Sequence, residues 1–238
     1  MNQQLRYLCL ILGTTLVFGG CGLLGSDDDG VQFEDGIVEG VWEFLDEEQL
    51  DILEEELEMP IHRGDNPPQI PAEHEAYFIS PLIMIATTVP DDFAEPGHRF
   101  ADQTVRFSNQ NMDEYTINVD QFGGRSVTAG DGSFIVGDGN AFTIFARTQT
   151  VIEAENAESE ELVLYSGVLS EDGIVDLHFA LFMLDNNGHE VFIANDTGRS
   201  FEDGEGLSEV VEWPEESVLM SPADQIERIK PDPFRILN

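Results

Sequence analysis

The run at residues 161–195, ELVLYSGVLSEDGIVDLHFALFMLDNNGHEVFIAN, constrains the fold more than any other stretch of the chain. Asp172-Gly173 and Asn186-Asn187-Gly188 part it into three apolar segments. Asp-Gly and Asn-Gly supply the positive φ angles of tight turns, so the pattern predicts two β-hairpins in series. A chain built this way pairs its strands as an antiparallel meander. The turns speak to architecture and leave chemistry open.

The same grammar extends from Ala76 onward. Strands are predicted at residues 77–88, 104–109, 115–122, 126–136, 140–152, 162–170, 174–185 and 190–194, with turns at Gly123-Gly124 and Asp138-Gly139. About eight strands at this spacing read as a barrel or a sandwich, and both satisfy the alternation. Val105 and Phe107 share one face, as do Phe142, Ile144 and Ala146. The segment 174–184 is apolar on both faces except at Asp176 and His178. Such a strand suits a barrel wall covered outside by another element.

That cover is expected from residues 37–60, where the period changes to a helical one. Val38, Val41, Trp42 and Leu45 fall on one face; Leu50, Leu53 and Leu57 fall on another. Asp46, with Gln49 three residues on, has the spacing of a capping box, and Pro60 ends the pattern. The run Glu54-Glu55-Glu56 reads as a solvated face. Arg63-Gly64-Asp65-Asn66-Pro67-Pro68 is a rigid turn into the β domain, placed at residues 61–213. Residues 199–213 read as an acidic, glycine-rich segment. The remainder, 214–238, reads as a loop with a short helix at 222–229.

Charge decides which partners are excluded. There are 48 acidic residues against 10 Lys and Arg, a formal net charge of -38, and Lys230 is the only lysine. No basic patch is available to neutralise phosphates, which excludes nucleic acid. A lysine-poor acidic surface repels itself at low ionic strength and suits high salt, where screening shortens to about 3 Å near 1 M. The expectation is a halophilic host. With 41% hydrophobic residues, including 16 Phe, a sizeable core is affordable all the same.

Residues 1–20 read as an export signal: Arg6, then an apolar stretch at 8–18, then Gly19-Gly20. The apolar stretch is too short to span a bilayer. Val17-Phe18-Gly19-Gly20-Cys21 resembles a bacterial lipoprotein signal, with Phe18 departing from the usual leucine. The resemblance implies cleavage before Cys21 and lipidation there, anchoring the protein to a membrane, most simply the outer membrane. Cys9 leaves with the signal, so a disulfide within the mature chain is ruled out. Residues 21–36, rich in Gly, Ser and Asp, read as an acidic tether.

Longer range, Gly64-Asp65-Asn66-Pro67-Pro68, Ser80-Pro81, Gly137-Asp138-Gly139-Asn140-Ala141-Phe142-Thr143, Ser166-Gly167 and Phe201-Glu202-Asp203-Gly204-Glu205-Gly206, closing at Trp213, are similar to motifs of a group of uncharacterised bacterial lipoproteins, loosely calycin-like. The resemblance implies an eight-stranded barrel with a small apolar ligand inside. Phe107, Phe142, Phe179 and Phe182 would line that interior, and His178, beside Asp176, would offer a polar contact. A core filled by side chains is the competing outcome, since eight strands leave room for little more.

Other chemistry finds little purchase. Asp203, Glu205 and Glu209 alternate around glycines as calcium-binding carboxylates do, although a plain acidic turn is the preferred reading in a chain where such clusters arise freely. His62, His74, His98, His178 and His189 match no zinc spacing. No nucleophile elbow, phosphate loop or dinucleotide fingerprint is present, and no cofactor is called for. The reading is a non-catalytic envelope protein, facing periplasm or cell surface, that binds a small apolar ligand. The alternative is an accessory component of an envelope protein assembly; a hydrolase stands third.

Overall fold

The computed structural model describes residues 31–123 and 126–213. Its strands, in chain order, are β1 (Phe33–Glu34), β2 (Ile37–Val38), β3 (Asp65–Asn66), β4 (Ala76–Ile79), β5 (Leu82–Thr87), β6 (Arg99–Phe100) and β7 (Gln103–Asn111). There follow β8 (Thr116–Gly123), β9 (Ser126–Asp138), β10 (Ala141–Ile152), β11 (Ala157–Leu169), β12 (Gly173–Asp185), β13 (Gly198–Asp203) and β14 (Leu207–Val211). One short helix, α1 (Glu47–Asp51), precedes β3.

The sheet order β11-β10-β9-β8-β7-β4-β14-β12 returns on itself, because β12 also pairs with β11. Eight strands therefore close into a ring, every neighbouring pair antiparallel. Consecutive strands from β7 to β12 are neighbours, the expected meander. Closure comes from β4 pairing with β14, with Tyr77 opposite Val210. Beyond closure the ring forks. The later half of β12 leaves β14 and pairs with β13, which continues to β5 and β6.

Two apolar clusters follow from strand alternation. One draws on every strand of the ring, through residues such as Tyr77, Val105, Val119, Ile135, Phe142, Tyr165, Leu177 and, beyond closure, Phe201. A cluster fed by all members of a closed ring lies inside it. The other pairs the opposite faces of β9 to β12 (Val136, Phe145, Leu164, Phe182) with Val41, Leu45, Leu53 and Leu57 of the N-terminal segment. That segment is the outer cover predicted from the sequence; Val38, Val41, Leu45, Leu50, Leu53 and Leu57 of its assigned faces are buried, and Trp42 is half-buried.

Its local structure differs from the continuous helix expected over 37–60. Asp35-Gly36, with φ of 49° and 75°, turns β1 into β2, so part of the expected tether is a hairpin. A 3-10 turn spans Glu39–Glu43. Gly40 lies against Phe134, and a Cβ there would come within 2.3 Å of the ring. Asp46 then starts α1: its carboxylate accepts the Gln49 N–H at 2.8 Å while Gln49 accepts the Asp46 N–H at 3.1 Å, the expected capping box. A π turn over Ile52–Glu56 finishes it.

Three other expectations change. The strand predicted at 77–88 is two strands, split at Ser80-Pro81, where proline removes a ladder donor. Residues 190–194 form no strand, because β12 already has β11 on one edge and β13 with β14 on the other. The partner strands β13 and β14 come instead from residues 198–211, in the segment read as acidic and glycine-rich without assigned strands. The short C-terminal helix expected at 222–229, like Cys21 and the export signal, lies outside the described residues.

Candidate functional site

The interior of the ring is filled along most of its length by aromatic rings in sequence. Tyr77 meets Phe107 at 5.8 Å, Phe107 meets Tyr165 at 5.3 Å, Tyr165 stacks on Phe179 at 5.1 Å, and Phe179 stacks on Phe201 at 5.3 Å. Phe142 joins edge-on to Phe107. Three of the five residues expected to line a ligand site, Phe107, Phe142 and Phe179, therefore converge inside. Phe182 and His178 do not. Leu177 and Phe179 point inward, so their neighbours on β12 point out, and Phe182 packs in the outer cluster. His178 donates from Nδ1 to the Asp176 carbonyl, 2.9 Å away, and acts on His62, whose imidazole burial and His178 hold below its ordinary value.

Space remains at the forked end. A cavity of about 240 Å³ is lined by Leu82, Phe100, Val163, Phe179, Leu181 and Phe201, with Val191, Phe192 and Ile193 at its mouth. By volume it could hold about eight waters, at roughly 30 Å³ each. It sits where the ring forks, among Gln121 of β8, Ser126 and Thr128 of β9, Thr150 of β10 and Glu161 of β11. The segment 190–194 carries strand-like apolar residues because it borders this mouth. Periodicity alone does not separate that use from a strand.

The polar side of the cavity is a built network. Glu161 is 2% exposed. Its carboxyl accepts the Thr150 hydroxyl at 2.8 Å and the Ser159 hydroxyl at 2.8 Å. Thr128 and Thr150 are 2.7 Å apart. Burial pushes the Glu161 carboxyl above its ordinary value, against the pull of those two hydroxyls. Tyr165, raised well above the usual phenol by burial and then by Glu161, donates to Gln121, which donates to Gln103 at 3.1 Å. None of these polar residues was singled out from the sequence. The signal was present: Glu161 shares its alternation phase with Val163 and Tyr165, one residue before the expected start of the strand at 162.

The wall beside the mouth is held by an ion pair. Arg199 donates from Nε and Nη2 to both oxygens of Asp92, at 2.8 and 2.6 Å. The side chains are 13% and 4% exposed. Burial raises the Asp92 carboxyl, but Arg199, Thr87 and the Ala94 N–H outweigh it and hold the carboxyl at about 2. The guanidinium also lies 5.0 Å from the Phe93 ring and 5.6 Å from Phe100.

Elsewhere the geometry is less suggestive. A cavity of about 540 Å³ lies at the opposite end, bordered by Ile70, His74, Phe107 and Trp213. It has no buried carboxyl, and one border is the last described residue. Asp203, considered for calcium, is 5% exposed and occupied within its own turn, accepting the Glu205 N–H at 3.0 Å and the Ser208 hydroxyl at 2.6 Å. Glu205 is exposed, and Glu209 lies on β14 opposite Gly173 and Phe78. Among the described residues no three His, Cys, Asp or Glu side chains gather as a metal site. Against protein-family models, curated proteins and solved structures, the chain finds no match.

Proposed function

We propose that this chain is a lipid-anchored cell-envelope protein whose ring, a calycin-like barrel, binds a small, mainly apolar ligand at its forked end without catalysis. The observation that carries the reading is the cavity of about 240 Å³, walled by Phe179, Phe201 and Val163 and bottomed by a hydrogen-bonded polar network. Ligand sites are typically apolar hollows with a few convergent polar groups. The anchor rests on the sequence around Cys21, and the acidic surface fits a protein working in high salt.

Native mass spectrometry of the full chain, purified in high salt from its own host, tests the reading. A small extra mass, lost on denaturation and extractable into organic solvent, is expected. Leu181→Trp, which fills the cavity, should abolish it. A bare chain in both forms would count against ligand binding. The accessory role keeps one observation: Phe93, beside the mouth, is 75% exposed. One ring is far less than the several hundred Å² that marks an interaction patch.

A further inference from the structure

Around the cavity, the hydroxyl hydrogens are committed within the protein. Tyr165 donates to Gln121, and Ser126 donates to the Gly123 carbonyl at 3.2 Å. Thr150 and Ser159 donate to Glu161. A hydroxyl has one hydrogen, so with Thr150 facing Glu161, Thr128 must donate to Thr150. What these groups retain is acceptor capacity. Each Glu161 oxygen has one protein donor and a second lone pair; Thr128 and the two glutamine carbonyls keep lone pairs as well.

Among the described residues Glu161 also has no countercharge. The groups acting on its carboxyl are its own burial and the Thr150 and Ser159 hydroxyls. Arg199, the cation lining the same cavity, is engaged by both oxygens of Asp92. A buried carboxylate without a cation is costly, and an ammonium brings three N–H donors and the missing charge.

We infer that the cavity selects a small organic ammonium: an apolar body against Phe179 and Phe201, and a protonated amine seated on Glu161 and Thr128. This rests on the binding function proposed above and names its ligand class. The strongly negative protein raises the local concentration of such cations at low ionic strength.

The test compares cyclohexylmethylamine with its neutral isostere cyclohexylmethanol, titrated into the full chain at neutral pH and followed by calorimetry and ligand-observed NMR. The amine should bind at least tenfold more tightly. Glu161→Gln should bring the two within about twofold, chiefly through loss of amine affinity. Should that variant fail to fold, Thr128→Val should narrow the preference by severalfold. Equal affinities in the native chain, or tighter alcohol, would overturn the ammonium assignment and leave apolar binding standing. Binding of neither compound would overturn both.

Discussion

The two ends of the ring are built from the same strands and treat their interiors differently. At the closed end, where β4 and β14 complete the circle, Tyr77, Ile135, Phe142, Ile144 and Ile174 are each no more than 1% exposed and meet one another. At the forked end β5 and β13 continue past closure, and the lining includes Glu161, Thr128, Thr150 and Gln121. A filled core needs only volume and alternation. A hollow stretch must also satisfy every polar group it exposes, which is why the lining around Glu161 carries a network and the stretch around Phe142 carries rings alone. The lesson concerns where to look in a small ring: where the packing is interrupted.

The comparison can be broken most forcefully at the closed end. Phe142→Ala should cost about 3–5 kcal/mol in denaturant unfolding, and leave the affinity of the remaining folded protein for a ligand unchanged. At the forked end, Asp92→Ala leaves Arg199 half-buried without its partner. It should cost about 3 kcal/mol and also weaken binding, since the same residues wall the cavity.

The pH profile sharpens the contrast between two buried carboxyls. Asp92 is held at about 2, below its ordinary 3.8, so its stabilisation is complete above pH 4 and disappears as pH falls through 2. Glu161 lies above its ordinary 4.5, so the unfolded chain ionises first and stability declines as pH rises beyond that value. Urea midpoints across pH should show both limbs, and Glu161→Gln should flatten only the upper one. The smallest effect belongs to the outer cover: Asp46→Ala, which removes the cap of α1, should cost about 1 kcal/mol and leave ligand affinity untouched.

Much of the ring was legible because turn chemistry is local. Asp172-Gly173 turns the chain from β11 into β12, with Leu169 paired to Ile174. A Cβ on Gly173 would lie 2.1 Å from the Ser208 carbonyl oxygen, so no other residue fits unaltered. The acidic strands β13 and β14 were missed because Arg199, Glu202, Asp203 and Glu209 hide the alternation that pairing later enforces. At the site, the aromatic residues were readable as core formers, whereas their convergence is not a property of sequence spacing. Phe179 and Phe182 are three residues apart and end on opposite faces, as a period of two requires. Glu161 was overlooked because in a chain with 48 acids a single carboxylate carries no contrast.

Closure of the ring between Tyr77 and Val210 also sets a timetable. Joining positions about 130 residues apart costs roughly 4 kcal/mol in loop entropy before any contact rewards it. Such non-local pairing makes for slow folding. Until β14 is in place, β4 and β12 present unpaired edges, available to any other extended chain. A chain stopped before Leu207 would keep them for good. The five residues of β14 are thus what separates a closed ring from a template for aggregation.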